Sequence, residues 1–151
     1  MSRDVETVER LIAAPAPKIF ALLADASQHQ AFDGSGTVRE AAADVEPLSL
    51  GTRFGMAMHA GLPYKMVNTV VEFEPDRLIA WQPRPAYPVV DRFIGGRIWR
   101  YELEPTDAGT RVMESWDISQ EVFSFLVRPL RGVTRTNMEK TLARLDALVT
   151  R

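Results

Sequence analysis

The stretch RYELEPTDAGTRVMESWDIS, residues 100–119, predicts two β-strands joined by a tight turn. Side chains alternate between the faces of a strand, so its second half gathers four residues on one face: Val112, Glu114, Trp116 and Ile118. A carboxylate is costly on a face that packs into a dry core. Glu114 therefore pairs with an arginine such as Arg97, or contacts water or ligand in a cavity, or lies beside a β-bulge that turns it outward.

The N-terminal part of the chain predicts one strand followed by two short helices. The strand covers residues 5–13. Pro15 and Pro17 suit the start of the first helix, where a missing amide hydrogen costs nothing. A second helix is expected over 27–32, with Ser27 as its N-cap. The DGSG stretch, 33–36, predicts a flexible loop that acts as a gate rather than a site.

The middle of the chain is rich in predicted strands. Alternating patterns place them within 37–42, 51–60, 62–77, 77–84 and 92–105. In the longest stretch, one face carries Val67, Thr69, Val71 and Phe73, and the other carries Met66, Asn68, Val70 and Glu72. EPDR, 74–77, predicts a turn with Pro75 in its first central position. PRPAYP, 83–88, is expected to leave the sheet as a loop over one end, because proline lacks the amide donor.

The C-terminal segment, 129–150, has helical spacing of its apolar residues: Leu130, Val133, Met138, Leu142, Leu145, Leu148 and Val149. The preceding EVFSFLV stretch is compatible with a strand end, a loop or a helical turn kinked at Pro129. The second half of the helix is rich in leucine, whereas the first half carries Thr134, Asn137 and Thr141. This change predicts a packed end and a hollow end, unless the polar residues face solvent.

The predicted strand faces also gather an aromatic and methionine set: Phe54, Met56, Met58, Trp81, Trp99, Tyr101 and Trp116. Plain core packing is the simpler interpretation. A cavity is favoured by the adaptability of methionine at binding surfaces. It is also favoured by the N–H and O–H groups of tryptophan and tyrosine, which need partners when buried. Tyr64 and Asn68 are further polar candidates.

Composition excludes several classes of function. The 151 residues predict a single domain over 1–151, and the net charge of −2 gives no basic excess for nucleic acid. There is no cysteine, and the two histidines, His29 and His59, lack a third ligand at metal-binding spacing, so neither a metal nor another cofactor is expected. The charged start of the chain is not a secretory signal, and no apolar run approaches a membrane span, so a cytoplasmic protein is expected.

The order of elements resembles the helix-grip fold of the START-like (SRPBCC) superfamily, and within it the polyketide cyclase/dehydratase and lipid-transport family. Four stretches carry the resemblance: IFALLADASQHQAFDGSG at 19–36, VVEFEPDRLIAW at 70–81, WRYELEPTDAGTRVMESWD at 99–117 and TLARLDALV at 141–149. The resemblance implies an α+β fold in which a curved antiparallel sheet of about six or seven strands wraps around the long C-terminal helix. It also implies a deep, mainly apolar cavity between them.

Three functions are compatible with these observations. The first is binding of a hydrophobic small molecule, with predicted contacts from Phe54, Met56, Met58, Trp81, Trp99, Tyr101, Glu114, Trp116 and Asn137. The second is a cyclase, aromatase or dehydratase, with Glu114, Tyr101, Arg97 and His59 as acid–base candidates. The third is a regulatory or interaction protein with a vestigial cavity, for which a homodimer is considered.

Overall fold

Ladders between neighbouring strands build one antiparallel sheet in the computed structural model, which describes residues 4–36, 38–41, 47–59, 61–87 and 95–150. The sheet in these ranges has seven strands in the order β1-β7-β6-β5-β4-β3-β2. Their bounds are β1 Val5–Ile12, β2 Val38–Ala41, β3 Arg53–His59, β4 Pro63–Glu74, β5 Leu78–Pro85, β6 Ile98–Thr106 and β7 Gly109–Asp117. Consecutive strands pair, as a meander of short turns favours. The exception is β1, which returns to pair with β7.

Helices cover one face of this sheet. They are α1 Ala16–Leu23, α2 His29–Phe32, α3 Ser124–Val127 and α4 Arg131–Val149, with 3₁₀ turns at Ala26–Gln28 and Arg128–Leu130. The C-terminal helical stretch therefore begins ahead of Pro129: the SFLV part of the ambiguous EVFSFLV segment is helical, and residues 121–123 precede it without helix. The predicted α+β helix-grip architecture, a curved antiparallel sheet gripping a long C-terminal helix, is confirmed.

The start of α1 agrees with the sequence-based prediction, whereas the cap of the next helical turn is a different residue from the predicted one. Helix α1 begins directly after Pro15, whose extended backbone leads into the first turn. The next helical turn is capped by Asp25, whose carboxylate accepts a 3.0 Å hydrogen bond from the Ser27 amide. The prediction of Ser27 as the cap was wrong, because the turn begins one residue earlier than the sequence pattern indicates.

Two prolines of PRPAYP, Pro83 and Pro85, remain in the sheet. Strand β5 continues to Pro85, with Pro83 opposite Asn68 on β4. Strand β6 pairs with β5 only as far as Trp81, so within the described ranges no strand is paired with the β6 side of this end of β5. The Ala86 amide donates to β4, so the amide positions of Pro83 and Pro85 point the other way, where no ladder bond is lost. The predicted loop was therefore wrong as far as Pro85; Pro88 lies outside the described residues.

A bulge changes the faces of β4. The register shifts between Val70 and Glu72, so the strict alternation predicted for this strand breaks there. Asn68 and Val70 are buried on the helix-facing side. Beyond the bulge, Phe73 joins the same core, with its ring 5.6 Å from that of Phe20. The sequence placed Phe73 on the opposite face from Val70, and the bulge is the reason that this prediction fails.

The loop at 33–36 is attached to α4. The Gly34 amide donates a 2.8 Å hydrogen bond to Thr141 Oγ1, and a Cβ at this position would lie 2.3 Å from the Asn137 carbonyl oxygen. The loop backbone therefore approaches the helix as closely as only glycine allows. The Asp33 carboxylate accepts the amides of Ser35 and Val38. The stretch expected to be flexible is anchored at its start.

Candidate functional site

A cavity of about 600 Å³ lies between the sheet, the 33–36 loop and the first half of α4. Its lining is dominated by aromatic, methionine and other apolar side chains, with a smaller polar set. The lining residues are His29, Phe32, Asp33, Ser35, Val38, Met56, Met58, Tyr64, Lys65, Met66, Asn68, Trp81, Pro83, Pro85, Tyr87, Gly95, Arg97, Trp99, Tyr101, Glu114, Leu130, Val133, Thr134, Asn137, Met138 and Thr141.

Lining residues that are also exposed mark the mouth of the cavity. They are Ser35, Lys65, Tyr87, Leu130 and Val133. Ser35 of the 33–36 loop and Tyr87, just after the end of β5, both belong to this set. Leu130 and Val133 were expected to belong to the packed stripe of the helix. They are instead 44% and 57% exposed and line the cavity.

Glu114 lies at the inner wall of the cavity and is only 2% exposed. Strand β7 places it directly opposite Tyr101 of β6, and the Tyr101 hydroxyl donates to its carboxyl group. The Oε1 atom of Glu114 has no hydrogen-bond partner within the described part of the chain. Burial raises the pKa of Glu114 well above its usual value, and nearby Asp33 adds to the rise while the Tyr101 hydrogen bond opposes it.

Arg97 does not pair with Glu114, so that sequence-based alternative is wrong. The Arg97 Nε atom donates to Glu121 Oε1 at 3.0 Å. Glu121 is itself buried and also accepts the Gly95 amide at 3.2 Å. Arg97 therefore lines the cavity with its charge already paired with Glu121.

The alternative of a β-bulge beside Glu114 is also wrong, because β7 pairs with β6 in unbroken register.

A row of stacked rings lies along the same wall. The His29 ring stacks on Trp81 at 4.6 Å between centroids, and Trp81 stacks on Tyr101 at 5.3 Å. His29 Nε2 lies 3.0 Å from the Leu23 carbonyl oxygen, so this nitrogen carries the hydrogen and Nδ1 is the acceptor. Burial lowers the pKa of His29 to about 4, against the raising effects of Leu23 and two nearby aspartates.

The structure brings most of the sequence-predicted site residues to the cavity. These are Met56, Met58, Trp81, Trp99, Tyr101, Glu114, Asn137 and, from the acid–base set, Arg97. Three others do not line it. Phe54 packs edge-on behind Trp81 at 6.2 Å, Trp116 is buried in the core, and His59 is exposed at the end of β3. Contact of the lining residues with a ligand stays a prediction.

The sequence-based site omitted His29 and Met66. His29 falls in the second helix that the sequence predicts, and it is 4% exposed because Trp81, far along the chain, covers it. Met66 is two residues from Asn68 on β4, so both side chains lie on the same face of the strand. This shared face was the only feature of the sequence that could have indicated Met66 as a lining residue. From the sequence, Thr134 and Thr141 could face either the cavity or solvent. In the structure both are buried and line the cavity.

Among the described residues, no group of three or more histidine, aspartate or glutamate side chains is arranged to hold a metal ion. None of the helices in the described ranges combines the length and the apolarity of a membrane span.

Comparisons with known proteins agree with this architecture. A family model described as "Polyketide cyclase / dehydrase and lipid transport" matches residues 5–150. The uncharacterized protein Rv0088 of Mycobacterium tuberculosis is 36% identical over 119 residues, which is 78% of this chain and 46% of that protein. This chain thus spans about half the length of the curated relatives it matches.

Solved structures show the same fold at low identity. Protein CV1439 from Chromobacterium violaceum has a TM-score of 0.76 at 14% identity, with 99% of each chain covered. The di-domain ARO/CYC StfQ from the steffimycin biosynthetic pathway has a TM-score of 0.70 at 13% identity. That match covers 97% of this chain and 50% of StfQ. At such identities the likeness concerns the fold alone.

Proposed function

Because the chain belongs to the family described as polyketide cyclase/dehydrase and lipid transport, we propose that its cavity binds a hydrophobic small molecule. The ligand is a lipid, a polyketide or an aromatic metabolite. The observation that carries the proposal is the cavity of about 600 Å³, which lies inside the range of roughly 300–1,000 Å³ for small-molecule sites. That volume argues against the alternative of a vestigial cavity.

The chemistry of the walls supports the same proposal. Small-molecule sites combine a mainly apolar lining with a few polar groups that orient the ligand. Here Met56, Trp81 and Trp99 represent the apolar wall, whereas Asn68 and Glu114 are buried polar groups on it. Apolar burial drives binding, at roughly 25 cal/mol for each Å² removed from water. The polar groups restrict how the ligand is oriented.

A binding test follows from the position of Thr134 on α4. Thr134 is buried at the cavity, whereas Thr136 is exposed on the opposite side of the same helix. Thr134→Trp fills the hollow with an indole ring, and Thr136→Trp makes the same change on the outer surface. Titration with the neutral fluorescent dye N-phenylnaphthylamine measures the affinity of both variants and of the wild-type protein.

We expect the wild-type protein and Thr136→Trp to bind the dye with similar affinity, and Thr134→Trp to lose at least about tenfold, since tenfold is about 1.4 kcal/mol. Native mass spectrometry of the freshly purified protein adds a second readout, a retained small molecule. Absence of dye binding by the wild-type protein, or equal binding by both tryptophan variants, contradicts the proposal.

A second candidate function is enolisation of a ketone, as in cyclisation or dehydration. It is favoured by the Glu114–Tyr101 pair, which places a carboxyl group and a hydroxyl group together at a buried wall. A solved structure of this fold is described as an ARO/CYC from a biosynthetic pathway. In such a step Glu114, once ionised, takes a C–H proton, and the Tyr101 hydroxyl turns its single hydrogen from Glu114 to the enolate oxygen.

Exchange of the α-hydrogens of α-tetralone in D₂O, followed by NMR, tests this second candidate. Because the pKa of Glu114 is raised, the rate should increase with pH as the carboxylate forms. Glu114→Gln should reduce the rate to the level of buffer alone. Exchange that the wild-type protein does not accelerate excludes the enzyme and leaves the binding proposal intact.

The homodimer expected from the sequence stays a prediction, which light scattering checks.

A further inference from the structure

We propose that Glu114 and Tyr101 form a hydrogen-bonding wall for an uncharged ligand, with Glu114 donating from Oε1 to a carbonyl oxygen on a flat, ring-containing molecule. This inference rests on the proposed binding function and deepens it, because it selects ketones and quinones over carboxylates and amines. It comes from three features of the cavity: the geometry of Glu114, the charges around it, and the edges of the ring row.

The geometry of Glu114 leaves one oxygen for a ligand. Tyr101 donates to the carboxyl group, and a protonated carboxyl group accepts such a bond best on its carbonyl oxygen. The hydrogen then belongs on Oε1, which has no partner among the described residues and belongs to a side chain that lines the cavity. A buried donor without an acceptor is costly. A carbonyl oxygen on the ligand removes that cost.

The charges around Glu114 oppose a carboxylate ligand and do not ionise Glu114. Asp33 is the charged group whose field reaches both Glu114 and Tyr101, and it is negative. Arg97 is engaged by Glu121. The remaining lining cation, Lys65, is exposed at the mouth. An anionic group placed beside Glu114 would therefore meet a second negative charge, with no unengaged cation beside it among the described lining residues.

His29 completes the set of titratable groups on this wall. It is buried and favours the neutral state, so it does not supply a compensating positive charge. Because burial also favours the neutral form of Glu114, the cavity interior is expected to carry no net positive charge near neutral pH. This environment suits an uncharged ligand that brings an acceptor of its own.

The ring row gives the wall a shape that suits flat ligands and disfavours cations. His29 and Tyr101 both stack on Trp81, so the parts of the Trp81 ring faces that they cover are closed to a ligand. Ring edges carry positive partial charge and attract the π-face of another ring. Cation binding instead requires an open ring face. The row therefore favours an edge-to-face contact with a planar aromatic ligand.

Four probes with one skeleton test the inference on the wild-type protein: fluorenone, fluorene, fluorene carboxylate and fluorenylmethylamine. Fluorenone differs from fluorene only in its carbonyl group. Displacement of N-phenylnaphthylamine and isothermal calorimetry give the affinities. We expect fluorenone to bind roughly tenfold more tightly than fluorene, the size of one well-formed buried hydrogen bond. The carboxylate and the ammonium form of the amine should bind more weakly than fluorene.

Two substitutions locate the effect at Glu114. Glu114→Gln keeps a donor on an uncharged side chain, so the preference for fluorenone should persist within about threefold. Glu114→Met removes the donor at similar volume, so fluorenone and fluorene should become nearly equal while fluorene affinity stays the same. Glu104→Met is the matched control, since Glu104 is exposed on the outer face of β6, and it should leave the preference unchanged.

The possible results separate this inference from the function on which it rests. If neither fluorene nor fluorenone binds and the dye does not bind, the proposed function fails and this inference fails with it. If both bind equally to the wild-type protein, only the carbonyl inference is overturned. Tightest binding of the amine, abolished by Glu114→Gln, overturns it in favour of an ion pair with an ionised Glu114. The wild-type comparison stands even if Glu114→Met does not fold.

Discussion

The two halves of α4 belong to one helix and have different surroundings. In the C-terminal half, Leu142, Leu145 and Val149 are buried against the sheet and α1. In the N-terminal half, Val133 is 57% exposed, and Thr134 lines the cavity. A buried leucine gains dispersion contacts on every side, whereas a residue at a cavity wall lacks them on one side. The difference indicates that the packed half holds the fold together and leaves the other half available for a ligand.

Truncation in the packed half should have the largest effect. Leu145→Ala removes a side chain that is 0% exposed, and it should lower the free energy of unfolding by about 2–5 kcal/mol. Urea denaturation followed by circular dichroism measures the change. A loss below about 1 kcal/mol would mean that this half of the helix is not packed as described.

Acid should lower the free energy of unfolding through His29, which lines the cavity. Because its pKa falls from 6.5 in the unfolded chain to about 4 in the folded protein, its contribution is present above pH 6.5 and is lost as the pH falls toward 4. The loss amounts to roughly 3 kcal/mol. His29→Phe should lack this part of the pH dependence. Urea denaturation of both proteins at several pH values measures the difference, and parallel profiles would contradict the burial of a neutral histidine.

Gly34, in the loop at 33–36, and Gly132, in the first turn of α4, provide a matched pair of glycine-to-alanine substitutions near the cavity. At Gly34 an added Cβ would lie 2.3 Å from the Asn137 carbonyl oxygen, whereas at Gly132 no atom lies within 4 Å of it. Gly34→Ala should therefore cost about 1–3 kcal/mol through overpacking. Gly132→Ala should stabilise helix α4 by about 0.5–1 kcal/mol. Thermal unfolding of both variants gives the two signs, and a stabilising Gly34→Ala would show that the loop does not rest on α4.

The smallest stability effect is expected at the mouth. Val133→Ala removes methyl groups that are mostly exposed, so the free energy of unfolding should change by no more than about 0.5 kcal/mol. Because Val133 lines the cavity, affinity for an apolar dye should fall measurably. Urea denaturation and dye titration on the same samples check both parts. A stability loss as large as that of Leu145→Ala would remove the contrast between the two halves.

Some features of the site could be predicted from local pattern alone. Alternation along β7 placed Glu114 on the face that carries Val112 and Trp116, and all three are buried together. The change from leucine to threonine along the last helix predicted its hollow end. These predictions succeed because the periods of strands and helices arise from backbone geometry within a few residues.

Other features depended on partners far along the chain. Arg97 pairs with Glu121 because the loop before β6 contacts the segment after β7. No local sequence pattern predicts that contact. His29 is buried by Trp81 of β5. Pro83 and Pro85 stay in β5 because β6 ends its pairing at Trp81. Each depends on which strand lies alongside, which the sequence pattern of a single segment does not contain.

By itself, the sequence determined the order of strands and helices, the residues on the core-facing side of β7 and the helical conformation of the final segment, because backbone sterics and side-chain period act locally. Only the tertiary structure decided that the space under α4 is a cavity of about 600 Å³ and that Glu114 lies in it with Tyr101 as its partner. The reason is that burial, and with it the cost of a charge, is set by every element that surrounds a group and not by its neighbours in the chain.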